Sequence, residues 1–149
     1  MVAATVLVPE RMLASGEEGL VGAAGQLPRS LRPARYVIEA DSCLRAAVGP
    51  DADATTFPAR TRQLTAAEVD GLWRQLRDSG LLDPASPARI EGPEPAAKAA
   101  GGSTRPTALV YASFGDYRTT ARVVLDRGGT EALDAERIVD RLAALAGVK

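Results

Sequence analysis

The chain has 149 residues, of which 46% are hydrophobic and 25% are charged, and its formal net charge is −1. This composition suits one folded domain, and so small a net charge gives no long-range field that would recruit nucleic acid or an anionic membrane. There is no histidine and only one cysteine, Cys43, which removes the commonest general base, the commonest transition-metal ligand and any internal disulfide. We therefore expect a protein that is not an enzyme and that uses no metal and no cofactor.

Two further features bear on the setting of the protein. Arginine greatly outnumbers lysine, which occurs only at Lys98 and Lys149, and together with the alanine, glycine and proline content this bias indicates a GC-rich bacterial genome. No apolar run reaches the roughly 18 residues of a membrane span, and the apolar opening, residues 2–8, lacks the basic start of a signal peptide. We expect no membrane span and, if Met1 is the true start, a cytoplasmic protein by default.

The first 33 residues are predicted to form an N-terminal arm or extension. Residues 2–8 could form a strand, because several of them are β-branched and favour extended backbone. From residue 9 to residue 33 the density of glycine, alanine and proline is high, and neither a strand period nor a helix period survives. The folded domain is therefore predicted to span residues 34–149.

This domain is predicted to open with a hairpin. Residues 35–40 alternate between apolar and polar positions, and residues 43–48 form a second strand. Asp41 and Ser42 are a plausible two-residue turn between the two strands. A short strand at residues 61–64 then leads into the first helix.

Residues 64–82 carry both a start signal and a stop signal for a helix. Thr65 and Glu68 form a capping box, in which the threonine hydroxyl accepts from a helical N–H while the glutamate carboxylate reaches back to the cap. Gly80 stands where a left-handed residue ends a helix. Between these signals runs an apolar stripe of Val69, Leu72, Trp73 and Leu76. We expect this face of the helix, Trp73 included, to be buried.

Residues 83–107 form a long insert that is rich in proline, alanine, glycine and serine. This composition predicts the absence of regular structure. Neither the insert nor the N-terminal arm can bury enough apolar surface to order itself. Both segments are therefore predicted to bind a partner.

A second hairpin is predicted over residues 107–125. It turns at Gly115 and Asp116, a pair that suits a type II′ turn. Pairing Phe114 with Tyr117 assigns one face of the hairpin to the core, and this face consists of Val110, Ala112, Phe114, Tyr117, Thr119, Ala121 and Val123.

A final helix is predicted to start at Asp134, to bury Ile138, Leu142 and Leu145, and to end at Gly147. Hairpins separated by helices, without alternation of single strands and helices, indicate an α+β fold. We expect an antiparallel sheet of about five strands with two helices packed on one face.

The outward face of the second hairpin carries the residues that we single out for protein contact, namely Tyr111, Arg118, Thr120 and Arg122. On the predicted register Tyr111 lies opposite Thr120 and diagonal to both arginines, close enough for cation–π contact. Tyrosine and arginine anchor many protein interfaces. The simpler interpretation is an ordinary solvated sheet face, and the acidic balance of the chain argues against stacking on nucleic acid.

A set of capping and core positions supports a resemblance to a known family. The set comprises residues 64–68 (LTAAE), Leu72, Leu76, Leu81, Leu82, the Gly115–Asp116 turn and the closing helix at residues 142–145. Over residues 34–146, the order of hairpin, helix, long loop, hairpin and helix resembles small bacterial proteins of the emfourin type, which inhibit thermolysin-like metalloproteases. The resemblance implies an α+β fold and suggests inhibitor activity.

The first functional hypothesis is a non-enzymatic protein-interaction module, either an accessory subunit of a larger assembly or a protein inhibitor. It would contact another protein through the N-terminal arm, the 83–107 insert and the exposed hairpin face, and it would bind no nucleic acid. The alternative is a small hydrolase that relies on carboxylates alone, or a ligand-binding protein. A deep pocket with two convergent acids of raised pKa would favour the alternative.

Overall fold

The computed structural model describes residues 1–8, 28–50, 52, 55–90 and 105–148. The strands are β1 (Val2–Leu7), β2 (Ala34–Ile38), β3 (Cys43–Val48), β4 (Ala59–Gln63), β5 (Arg89–Ile90), β6 (Thr107–Phe114) and β7 (Tyr117–Val124). The α-helices are α1 (Ala66–Asp78) and α2 (Thr130–Leu145), and short 3₁₀ turns lie at Arg29–Leu31 and Leu125–Arg127.

These elements form a seven-stranded sheet in the order β4-β3-β2-β1-β6-β7-β5. Every neighbouring pair of strands is antiparallel, and the α+β class is therefore confirmed. The expected number of about five strands is wrong, because β1 and β5 add to the five that the sequence indicates most clearly.

Strand β1 lies in the middle of the sheet, between β2 and β6. Its register pairs Val6 with Ala34 on one side and with Ala108 on the other, and all three residues are fully buried. Residues 2–7, which the sequence analysis assigned to the arm, therefore form a central strand of the sheet. The larger part of the predicted arm, residues 9–27, lies outside the described residues.

The β2–β3 hairpin is confirmed, but its turn has three residues where two were predicted. The Glu39 N–H donates to the Cys43 carbonyl at 3.0 Å, and the Ser42 N–H donates to the Glu39 carbonyl at 3.1 Å. Ser42 has a φ of 66°, the left-handed conformation that closes a three-residue hairpin loop. Asp41 supports the turn, because its Oδ1 accepts from the Cys43 N–H at 2.9 Å.

Helix α1 has the predicted capping box. Thr65 Oγ1 accepts from the Glu68 N–H at 3.3 Å, and Glu68 Oε2 accepts from the Thr65 N–H at 2.8 Å. Leu72 and Leu76 are each 1% exposed. Val69 and Trp73, however, are only half-buried at the border of the core, so the prediction that the whole stripe is buried is wrong for these two residues. They lie on the flanks of the stripe, and Leu72 and Leu76 occupy its centre.

The predicted insert contains one short strand. In β5, Arg89 pairs with Ala121 and Ile90 pairs with Thr120. The expectation that the insert lacks regular structure is therefore wrong at these two residues, because a two-residue strand depends on its partner and leaves almost no local signal in the sequence. Residues 91–104 lie outside the described residues.

The β6–β7 hairpin has the predicted register, in which Phe114 pairs with Tyr117. Gly115 has a φ of 57°, and Asp116 does not share this positive φ, in agreement with the predicted type II′ turn. The turn is therefore confirmed at the residues that the sequence indicated.

Helix α2 begins at Thr130, four residues before the predicted start at Asp134. Gly129 is the N-cap with a φ of 95°, and no side chain caps the helix, so the true start has no capping residue that would mark it in the sequence. Ile138 and Leu142 are buried as expected, whereas Leu145, also predicted to be buried, is only half-buried against the core. Gly147, with a φ of 72°, follows the end of the helix.

Both helices pack on the same face of the sheet and form one core with it. The sheet contributes alternate residues of its long strands, among them Val2, Ala4, Val6, Tyr36, Ile38, Leu44, Val110, Ala121 and Val123. Leu72 and Leu76 of α1 and Ile138 and Leu142 of α2 cover them. The 3₁₀ turn at Arg29–Leu31 also packs against α2.

Candidate functional site

The structure confirms the predicted pairing of the four candidate contact residues. Tyr111 lies opposite Thr120, and Arg118 and Arg122 each lie one diagonal step away on β7. They therefore share the face of the sheet that points away from the helices. The expected cation–π contact is not formed, because no such contact joins Tyr111 to an arginine within the described part of the chain.

Only part of this set is accessible to a partner. Thr120 is fully buried, and its hydroxyl has no hydrogen-bond partner among the described residues. Tyr111 is half-buried, whereas Arg118 and Arg122 are exposed. Thr120 therefore cannot touch a partner directly, and the prediction that the other three residues do so stays a prediction.

A more exposed apolar surface lies at the turn of the same hairpin, on the other face. Phe114 is 79% exposed and Tyr117 is 47% exposed. Both were predicted to be in the core, which is wrong for this last pair of the hairpin. The alternation of inward and outward side chains that buries Val110 and Ala121 continues to the turn. The helices, however, do not extend far enough to cover the last pair.

The turn also borders a small apolar cavity of about 170 Å³. Trp73 of α1 and Leu82 of the following loop line it together with Phe114 and Tyr117. The Tyr117 hydroxyl donates to the Leu82 carbonyl at 2.9 Å, which ties the hairpin to this loop. We call Trp73, Leu82, Phe114 and Tyr117 the tip cluster. The cavity is smaller than typical small-molecule sites, so it suits a single side chain of a partner.

The edge strand β4 offers a different kind of surface, because all five of its residues are exposed. It carries Arg60 and Arg62, and its pairing with β3 shifts register between Leu44 and Arg45. Charged side chains and bulges are the devices that prevent an edge strand from pairing with another chain. Strand addition at β4 is therefore disfavoured.

One group of potential metal ligands occurs among the described residues, namely Glu39, Asp41 and Cys43, whose ligand atoms lie within 4.8 Å of one another. Each already has a structural role. Glu39 accepts from Arg45 Nε at 2.8 Å, Asp41 supports the turn, and Cys43 is a free, buried thiol. Sequence analysis did not single out this group, and nothing else about it indicates a metal site.

Among the described residues, three side chains have a shifted pKa with a structural cause. Burial raises the pKa of Tyr36 to about 12. Hydrogen bonds from the backbone N–H and the hydroxyl of Thr65 lower the pKa of Glu68, and the hydrogen bond to Glu39 raises the pKa of Arg45. A general acid near neutral pH needs a carboxyl group of raised pKa. The direction at Glu68 is the opposite one and gives the hydrolase alternative no support.

Comparison with known proteins gives no match. No protein-family model matches the sequence, and a search of the curated proteins finds no similar sequence. Within the described part of the chain, neither helix is long and apolar enough to cross a membrane.

Proposed function

We propose that this chain is a non-enzymatic protein-interaction module, an accessory subunit of a larger assembly or a protein inhibitor, that binds its partner through the tip cluster. The observation that carries the proposal is the exposed aromatic pair Phe114 and Tyr117 beside an apolar cavity. Aromatic side chains next to well-packed pockets are the usual anchors of protein interfaces.

The energetics favour a partner at this position. Covering a phenylalanine side chain contributes about 2 kcal/mol from apolar area alone, and Phe114 is 79% exposed. Tyr117 and its hydrogen bond to Leu82 hold the hairpin in place before binding, so little conformational entropy is lost on association. The exposed Arg118 and Arg122 lie on the opposite face of the same hairpin. A partner that wraps around the turn would contact them at the rim of the interface.

The resemblance to emfourin-type proteins makes a protease inhibitor one form of this proposal. The predicted contributions of residues 9–27 and 91–104 to partner binding stay part of it, although these residues lie outside the described ones. The hydrolase alternative lacks a specific observation in its favour. The ligand-binding alternative has one, a polar groove between the two helices.

The test compares two phenylalanines of equal exposure. Phe114 in the tip cluster is 79% exposed, and Phe57, which stacks under Arg45 elsewhere on the surface, is 78% exposed. Affinity-tagged wild type, Phe114→Ala and Phe57→Ala are expressed in the native cells, and the proteins that co-purify are quantified by mass spectrometry. Melting temperatures of the three proteins establish that all are folded.

We expect one partner protein to co-purify with the wild type and with Phe57→Ala. Its recovery with Phe114→Ala should be about tenfold lower, because a loss of about 1.4 kcal/mol of binding free energy weakens binding tenfold. Equal recovery with all three proteins would show that the tip cluster is not the contact surface. Recovery of no specific protein by the wild type would contradict the proposal as a whole.

A further inference from the structure

The two helices enclose a polar groove of about 610 Å³, a size in the range of small-molecule sites. Helix α1 and the residue after it contribute one wall, Gly71, Arg74, Gln75, Asp78 and Ser79. Helix α2 contributes the other wall, Asp134, Arg137 and Arg141. The proposed protein-binding function uses none of these residues, so the groove needs its own explanation.

Gly71 lets a cation approach the backbone of α1 closely. A Cβ atom at this position would lie 2.5 Å from Nη2 of Arg141, so the guanidinium of Arg141 occupies the space that any other side chain would fill. Glycine inside a helix is destabilising relative to alanine, and here the close approach accounts for it. Arg141 Nε is buried and has no hydrogen-bond partner among the described residues.

The acids of the groove already have arginine partners. Asp134 accepts from Arg137 at 3.2 Å, and Asp78 lies 3.8 Å from Arg77, which does not line the groove. Arg74 and Arg141, by contrast, pair with no carboxylate in the described part of the chain. Two uncompensated guanidinium groups, one from each helix, therefore face the same space.

We propose that the groove binds the oxyanion of a small molecule, a phosphate or carboxylate group, between Arg74 and Arg141. The planar donor fork of arginine matches both kinds of oxyanion and binds them with charge-assisted hydrogen bonds. Arg141 lies against the backbone of α1 at Gly71, in the same groove that Arg74 lines. The inference is independent of the tip cluster.

The first test uses inorganic phosphate and, separately, citrate as probes, titrated by calorimetry at constant ionic strength. Arg74→Gln removes one of the two guanidinium groups that lack a carboxylate partner, at an exposed position. Arg127→Gln is the matched control, since it makes the same charge change at an exposed residue that does not line the groove. We expect saturable binding to the wild type and to Arg127→Gln, and about tenfold weaker binding to Arg74→Gln, because a hydrogen bond to a charged group contributes about that much.

Comparing the two probes identifies the class of ligand. A phosphate affinity well above that of citrate assigns the site to phosphate esters, and the reverse assigns it to carboxylates. Both outcomes support an oxyanion site.

A second variant moves Arg141 without changing any charge. Gly71→Ala places a methyl group where Arg141 Nη2 lies, and the flexible end of the side chain can shift away. We expect the variant to melt at or above the wild-type temperature and to bind the better probe several-fold more weakly. Two results would overturn the proposal. One is that both Arg74→Gln and Gly71→Ala bind the probe as tightly as the wild type. The other is that the wild type shows no saturable binding of either probe up to about 50 mM, which would mean a Kd too weak for a specific site.

Discussion

The most informative perturbation of the fold is Val6→Ala, because β1 was expected to belong to an arm and lies instead in the centre of the sheet. Val6 is 0% exposed and belongs to the core. The substitution removes two buried carbon atoms, which contribute about 1.6 kcal/mol at about 0.8 kcal/mol each. The cavity left between β2 and β6 raises the expected loss of unfolding free energy to about 2–3 kcal/mol.

The assay is urea unfolding at 25 °C, followed by the fluorescence of Trp73, the single tryptophan of the chain. Val48→Ala is the matched control, because it makes the same substitution in β3, at a residue that is 46% exposed. The control carries the same loss of strand propensity but little lost burial, so we expect it to cost below about 1 kcal/mol. In a chain of this size, the Val6→Ala loss corresponds to a melting temperature lower by about 5–10 °C.

A Val6→Ala protein as stable as Val48→Ala would contradict a central, buried β1. Residues 2–7 would then behave as an arm that the domain does not need.

The remaining predictions concern one core pair, one cap and one buried phenol. Leu72→Ala should lower the free energy of unfolding by about 3 kcal/mol. Trp73→Ala should lower it clearly less in circular dichroism melts, because Trp73 is half-buried. A larger loss for Trp73→Ala than for Leu72→Ala would place Trp73 in the core. Thr65→Ala should cost about 1 kcal/mol and Thr65→Ser much less in urea unfolding, and equal stability of both variants would show that the cap contributes nothing. Because the neutral phenol of Tyr36, with a pKa of about 12, is favoured in the fold, its contribution is constant below about pH 10 and falls as the pH rises towards 12. Wild type should therefore lose stability over this window more steeply than Tyr36→Phe, and parallel pH profiles would contradict the assignment.

Elements with local signals were predictable from the sequence. The capping box of Thr65 and Glu68 and the glycine of the Gly115–Asp116 turn encode their structures within a few residues, and both occur as expected. Strand β5 was missed, and β1 was assigned to an arm instead of the sheet. Both depend on partner strands that lie far away in the sequence, so local patterns give little indication of them. Helix α2 was given a late start because Gly129 at its N-cap provides no capping side chain.

The candidate site was predictable only in part. The register that joins Tyr111 to Thr120 followed from the turn, but alternation alone could not say which residues of a face remain accessible. It assigned Phe114 and Tyr117 to the core, although the cover by helices ends before the turn and leaves both exposed. The groove between α1 and α2 was missed as well, since the approach of Arg141 to Gly71 joins residues that are distant in the sequence.

Photo-crosslinking tests the proposed binding of another protein at the tip cluster. A photoreactive benzoylphenylalanine replaces Phe114 in one protein and Phe57, of nearly the same exposure, in a second. Both are irradiated in the native cells, and the products are identified by mass spectrometry. The proposal predicts one dominant crosslinked protein from position 114 that is absent from position 57. Identical crosslinking from both positions, or none from position 114, would contradict it.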